Sequence, residues 1–199
     1  MSTSVKTNPA ASGQPRARLT GDLAMWIFIL AELTAFTLFI LGFSFTQWLK
    51  PEMFIEGRAE LDSSTGWAMT AGLLTSGFLA ALAVERVRKN HARQAGALLL
   101  GAIASGMVYV VLKVQEYAHL ANAGFDLEYN TFFTLYWITT AFHFLHVLLG
   151  LVVLGFLCLR CWQRAYGPDN HSGMESGVLY WHMIDLVWVI IFPLVYLLG

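Results

Sequence analysis

Apolar residues in this chain fall into five blocks, each long enough to cross a bilayer and separated from the next by a short polar stretch. Crossing the hydrocarbon core takes about 20 residues of helix. Inside it, a lipid-exposed backbone can satisfy its own hydrogen bonds only as a helix or a closed barrel. The blocks run from about Leu23 to Gln47, Gly66 to Val84, Ala95 to Tyr117, Thr131 to Leu159 and Gly177 to Leu198. They predict an all-α membrane protein in which residues 21–199 form a bundle of five transmembrane helices. The short connections make consecutive helices antiparallel and leave no room for a second domain. Pro193 falls inside the fifth block, where neighbouring helices can absorb the lost backbone hydrogen bond.

Residues 1–20 are rich in Ser, Ala, Pro and Gly, with Lys6, Arg16 and Arg18 as their only charges. Such a segment buries too little apolar surface to fold, so it is predicted to be a disordered cytoplasmic tail. Its acid-free character faintly resembles a transit peptide. The apolar run behind it, however, is too long for a signal-peptide core and is not closed by a small-residue cleavage site. Lys and Arg then set the orientation. The tail, the loop with Arg86, Arg88, Lys89 and Arg93, and the loop with Arg160 and Arg164 carry nine, against Lys50 and Arg58 on the other side. This bias predicts a cytoplasmic N-terminus and a periplasmic C-terminus.

Composition agrees with a membrane class. Hydrophobic residues make up 57% and charged residues 13% of the chain, about half the roughly 25% charged content of soluble domains. A net charge of −1 leaves no basic surplus for a nucleic-acid partner. Small residues recur every fourth position at Ala68, Gly72, Ser76 and Ala80, and again at Ala97, Gly101 and Ser105. That spacing lets helix backbones approach closely and predicts a tight hairpin of the second and third spans.

Ionisable groups inside hydrocarbon are costly unless paired, neutralised or near water, which makes them the informative residues. Glu32 lies near the middle of the first span. Lys113, Glu116 and His119 share a face toward the outer end of the third, where a local ion pair near the interface is expected. His143 and His146 share a face of the fourth span, with Gly150 a turn beyond. His182 and Asp185 share a face near the cytoplasmic end of the fifth, flanked by Trp181 and Trp188. Two readings are open: hydrogen bonds across helices that fix the register of the bundle, or proton-linked function. Glu32, with no basic residue within a turn, is expected to be protonated or paired to another helix or subunit.

Haem ligation is disfavoured, because His143 and His146 are three apart on one helix and cannot clamp a haem from opposite faces. Cys158 and Cys161 form a single C-x-x-C, a weak zinc signal without a second pair, and two cysteines make no disulfide framework. The predicted site therefore has no catalytic, cofactor or metal residue of its own.

The motifs resemble a family. Y-W-H-M-I-D-L-V-W (Tyr180 to Trp188) and F-H-F-L-H-V-L-L-G (Phe142 to Gly150) are similar to signatures of haem-copper oxidase subunit III. L-K-V-Q-E-Y (Leu112 to Tyr117) resembles another helix end of that subunit. A-E-L-T-A-F (Ala31 to Phe36) resembles the stretch with its carbodiimide-reactive glutamate, which maps to Glu32. The resemblance covers the chain from Gly21 to Gly199 and matches the five-helix form of the subunit. It implies a non-catalytic accessory subunit with no redox cofactor. Such a subunit packs against a catalytic partner that carries haem and copper or non-haem iron, supports proton uptake there and protects against turnover inactivation. Membrane lipids are implied partners as well, although the five-helix form lacks two helices that help to build the lipid cleft of larger members. Two features bear on the branch. Phe144 replaces the usual glycine of F-H-G-L-H, and Lys113 together with the short chain and its closing motifs looks most like the NorE branch that accompanies nitric oxide reductase. That branch ranks slightly above an ordinary cytochrome c or quinol oxidase subunit III. A stand-alone proton-conducting or transporting bundle is the third reading, for which Glu32 offers a single station.

Overall fold

The computed structural model of the chain describes residues 23–168 and 170–198. The tail expected over residues 1–20 lies outside them. Six helices follow in order: α1 (Leu23–Leu49), α2 (Pro51–Ala59), α3 (Ser63–Arg88), α4 (Ala92–Asn122), α5 (Thr131–Trp162) and α6 (Ser172–Phe192). A π-helical turn, Pro193–Leu197, extends α6. Five of these segments are long and apolar enough to span a membrane.

The long helices overrun their predicted ends because charged residues are tolerated where a helix enters the headgroup region. At 1.5 Å per residue the 26 residues of α3 reach about 39 Å, beyond the roughly 30 Å hydrocarbon core. Local chemistry then fixes where each helix begins and ends. Asp62 caps α3 by accepting from the backbone N–H of Ser64 at 3.0 Å and of Thr65 at 3.2 Å, satisfying donors that a helix start leaves orphaned. Asn130 does the same for α5 through Phe133 N–H at 2.9 Å. Asn90, Gly124 and Arg164, all at positive φ, close α3, α4 and α5. In each case the next residue's N–H reaches back to close a Schellman-type cap.

The short helix α2 was not foreseen. Its start is marked by Pro51 in the first turn with Glu52 beside it, the pairing that favours a helix N-terminus. Pro193 is accommodated by widening the last turn, in which Leu198 N–H donates to Pro193 O at 2.8 Å.

Helices α3, α4, α5 and α6 pack each on the next, and α6 returns to α3. The result is a closed four-helix bundle. α1 lies outside it against α5 and α6, with 11% of its apolar window buried against 67% for the last span. The α3–α4 hairpin is as tight as expected: Ser76 Oγ donates to Ala102 O at 2.6 Å, and Ser105 Oγ to Gly72 O at 2.8 Å. The predicted stripes are only partly in the contact, however. Ala68 and Ala97 face outward, and the buried face of α4 runs through Ala95, Leu99, Ala102, Gly106 and Tyr109. That face must seal against α5 and α6 as well as α3, so it is set by the whole bundle.

Candidate functional site

Polar side chains gather at three places. The most buried is Lys113, whose side chain is fully enclosed. Its Nζ donates to Glu116 Oε1 at 2.7 Å, Tyr196 OH at 2.9 Å and Tyr136 OH at 3.1 Å, so all three ammonium donors are used. Tyr196 OH in turn donates to Glu116 at 2.8 Å, and Tyr136 OH also bonds that carboxylate. The rings of Tyr117, Tyr136, Trp188 and Tyr196 stand 4.8–5.6 Å from Nζ, within cation–π range. The expected local ion pair is present, and it lies in the outer half of α4, which continues to Asn122. His119 is exposed and outside the cluster.

Glu32 on α1 meets His146 on α5, with Oε2 3.0 Å from Nε2. His146 Nδ1 lies 2.8 Å from Phe142 O. A carbonyl can only accept, so Nδ1 carries a proton. Nε2 and the Glu32 carboxyl then share a single further proton, held as a carboxylic acid donating to neutral imidazole or as imidazolium donating to carboxylate. This pair ties the outer helix to the bundle.

His182 and Asp185 form the third group, with Nδ1 and Oδ2 3.7 Å apart; because the span begins at Ser172, they stand near its middle rather than near the cytoplasmic end expected for them. The Asp185 carboxyl lies on the backbone of Gly77, where a Cβ would stand 2.1 Å from Oδ2. Asp185 Oδ1 has no hydrogen-bond partner among the described residues.

His143 departs from the cross-helix hydrogen-bond reading. Neither ring nitrogen has a hydrogen-bond partner among the described residues. Instead the ring stacks on Trp188 at 5.2 Å and meets the edge of Tyr109 at 5.7 Å. The two C-terminal motifs thus interlock. Besides His143 on Trp188, Gly150 makes room for Trp181, whose Cε3 would lie 2.6 Å from an added Cβ. Phe144, in place of the expected glycine, fills the α4–α5 gap against Tyr117. Cys158 and Cys161 are buried; their thiols donate to Gly96 O at 3.4 Å and Met174 Sδ at 3.8 Å. No group of three metal-ligating side chains is assembled among the described residues.

Sequence reasoning missed the tyrosines around Lys113, although a mid-span tyrosine is itself a signal because its hydroxyl needs a partner. It also missed Arg58. Buried at 9% exposure, Arg58 donates to the carbonyls of Leu194 at 2.9 Å and Val195 at 3.2 Å, capping the end of the last span.

The family model of cytochrome c oxidase subunit III matches residues 19–199. The chain belongs to this family. A probable quinol oxidase subunit 3 of Staphylococcus saprophyticus is 28% identical over 89% of this chain and 88% of its own. Cytochrome c oxidase subunit 3 of Synechocystis is 29% identical, over 94% and 78%. A heme-copper oxidase subunit I+III of Aeropyrum pernix is 28% identical over 87% of this chain and 22% of that protein. This subunit III is therefore an accessory subunit of the haem-copper oxidase type. Its five apolar helices make it a multi-pass protein of the bacterial inner membrane.

Proposed function

We propose that the chain is the subunit III of an oxygen-reducing terminal oxidase, of quinol or cytochrome c type, with its N-terminus cytoplasmic. It holds no redox cofactor and stabilises a catalytic subunit that carries haem and copper. The observation that carries this reading is the use of the intramembrane polar groups. Glu32 with His146 and Lys113 with Glu116 satisfy one another across or along helices, which fixes the register of a packing subunit. Relatives named as oxidase subunits support the oxygen-reducing partner, and one relative named as subunits I and III in a single protein supports direct contact with the catalytic subunit. The Lys and Arg bias of nine to two supports the orientation, which reporter fusions after Lys50 and Gly124, both expected to read periplasmic, would check.

A NorE-like partner of nitric oxide reductase is the second reading, favoured by Lys113, and it now ranks behind the first. Measuring oxygen consumption and nitric oxide reduction in membranes of a deletion strain separates the two. The primary reading expects the loss in oxygen consumption, through lower accumulation or faster inactivation of the oxidase. Unchanged rate and durability of both activities would remove it. Purification in mild detergent addresses the stand-alone transporter, which brings no haem-containing protein with it.

A further inference from the structure

The carboxyl of Asp185 forms the floor of a groove of 410 Å³ on the outside of the α3–α6 seam. Its side chain is 8% exposed; Oδ1 is enclosed, with no hydrogen-bond partner among the described residues, and Oδ2, over Gly77 and 3.7 Å from His182 Nδ1, is the oxygen turned to the groove. The walls are Leu74 and Phe78 of α3 and Leu186 and Val189 of α6, which are 45–63% exposed. A second hollow of 180 Å³ shares His182 and continues past Ala81 to Glu175, where Glu175 pairs with Arg88 near the helix ends. The seam is thus open from mid-span toward one membrane surface.

Depth decides what can complete it. Asp185 stands midway along the 26-residue span Ser172–Leu197, about 20 Å of helix from either end. Lipid headgroups lie roughly 15 Å from the midplane, and acyl chains carry no donor. An unmet buried acceptor is costly. In hydrocarbon, the group that commonly meets such an acceptor is a polar side chain on a neighbouring transmembrane helix. Ala81, exposed one turn beyond Gly77, permits close approach.

We propose that the α3–α6 groove receives a transmembrane helix of the catalytic subunit, and that a side-chain donor on that helix hydrogen-bonds to Asp185. This rests on the accessory-subunit reading. The donor is a hydroxyl, amide, indole or basic group at mid-bilayer depth, matching a groove whose polar floor is a carboxyl.

The test uses the assembled complex in its own membranes. A photoreactive benzoylphenylalanine at Val189 should crosslink to the haem-carrying catalytic subunit, identified by mass, whereas one at Leu38 on α1 should not. Ala81→Trp fills the groove from an exposed position, and should lower the haem co-purified per chain at least tenfold without lowering accumulation of the chain. Asp185→Asn, which keeps an acceptor, should retain the haem, and Asp185→Leu should lose it. Crosslinking from Val189 only to lipid, a quinone or a second copy, or full haem retention by Ala81→Trp, overturns the groove assignment. Absence of any haem-carrying partner on the wild-type chain removes the accessory-subunit reading and this inference together.

Discussion

Lys113 presents three donors inside the bundle and finds three acceptors, with aromatic faces around them. Removing one member of such a pair leaves a buried charge, so Glu116→Gln should destabilise the chain by about 3–5 kcal/mol. Adding Lys113→Gln should recover most of that loss, because neutral partners carry no comparable desolvation cost. Unfolding of the four variants in detergent gives the coupling directly, and additive losses would show that the ion pair itself contributes nothing. Arg58 makes a second case. Arg58→Ala leaves the Leu194 and Val195 carbonyls without their donor and should cost about 2 kcal/mol, read as a lower melting temperature. Both residues show what a sequence does and does not disclose. The i,i+3 spacing of Lys113 and Glu116 is visible in one dimension, but the hydroxyls of Tyr136 and Tyr196 arrive from 23 and 83 residues away. Arg58 looks like an ordinary loop cation until the end of α6 is folded over it.

Among the elements, the five spans were legible because hydrocarbon permits so few backbone solutions. Their ends were less so, since the flanking charges that mark a boundary by hydropathy remain helical in the headgroup region. Capping chemistry sets the true starts. The hydroxyls and N–H groups of Ser64 and Thr65 hold the Asp62 carboxyl down to about 2, below the ordinary value of about 3.9. A group depressed on folding adds stability above its unfolded value and loses it as pH falls through its folded one. The start of α3 should therefore loosen between about pH 4 and pH 2. Protection of the Ser64 and Thr65 amides, taken relative to their intrinsic exchange rate at each pH, should fall over that window. Asp62→Asn should keep the cap and flatten the pH dependence; Asp62→Ala should speed exchange at every pH. α2 escaped notice because it is nine residues long and weakly apolar, and only its Pro51–Glu52 start distinguished it from loop.

At the scale of the whole molecule, four helices close on themselves while α1 leans on the outside, joined to them by the Glu32–His146 bond. Glu32→Gln should preserve that joint, because the amide N–H donates to the neutral imidazole, and assembly with the partner should proceed. Turnover or durability of the oxidase is the quantity expected to fall. Failure of Glu32→Gln to assemble would mean that the joint requires an imidazolium–carboxylate pair. That a bundle closes was readable from short loops and small-residue spacing; that α1 stays outside it was not, since its apolar pattern resembles the others. The position of α1 also orders events in time. Glu32 and His146 are 114 residues apart, and ribosomes add about 5–20 residues per second. The first helix made therefore waits about 6–23 s before its partner residue exists. During that interval the Glu32 carboxyl lacks the imidazole that completes it in the finished chain.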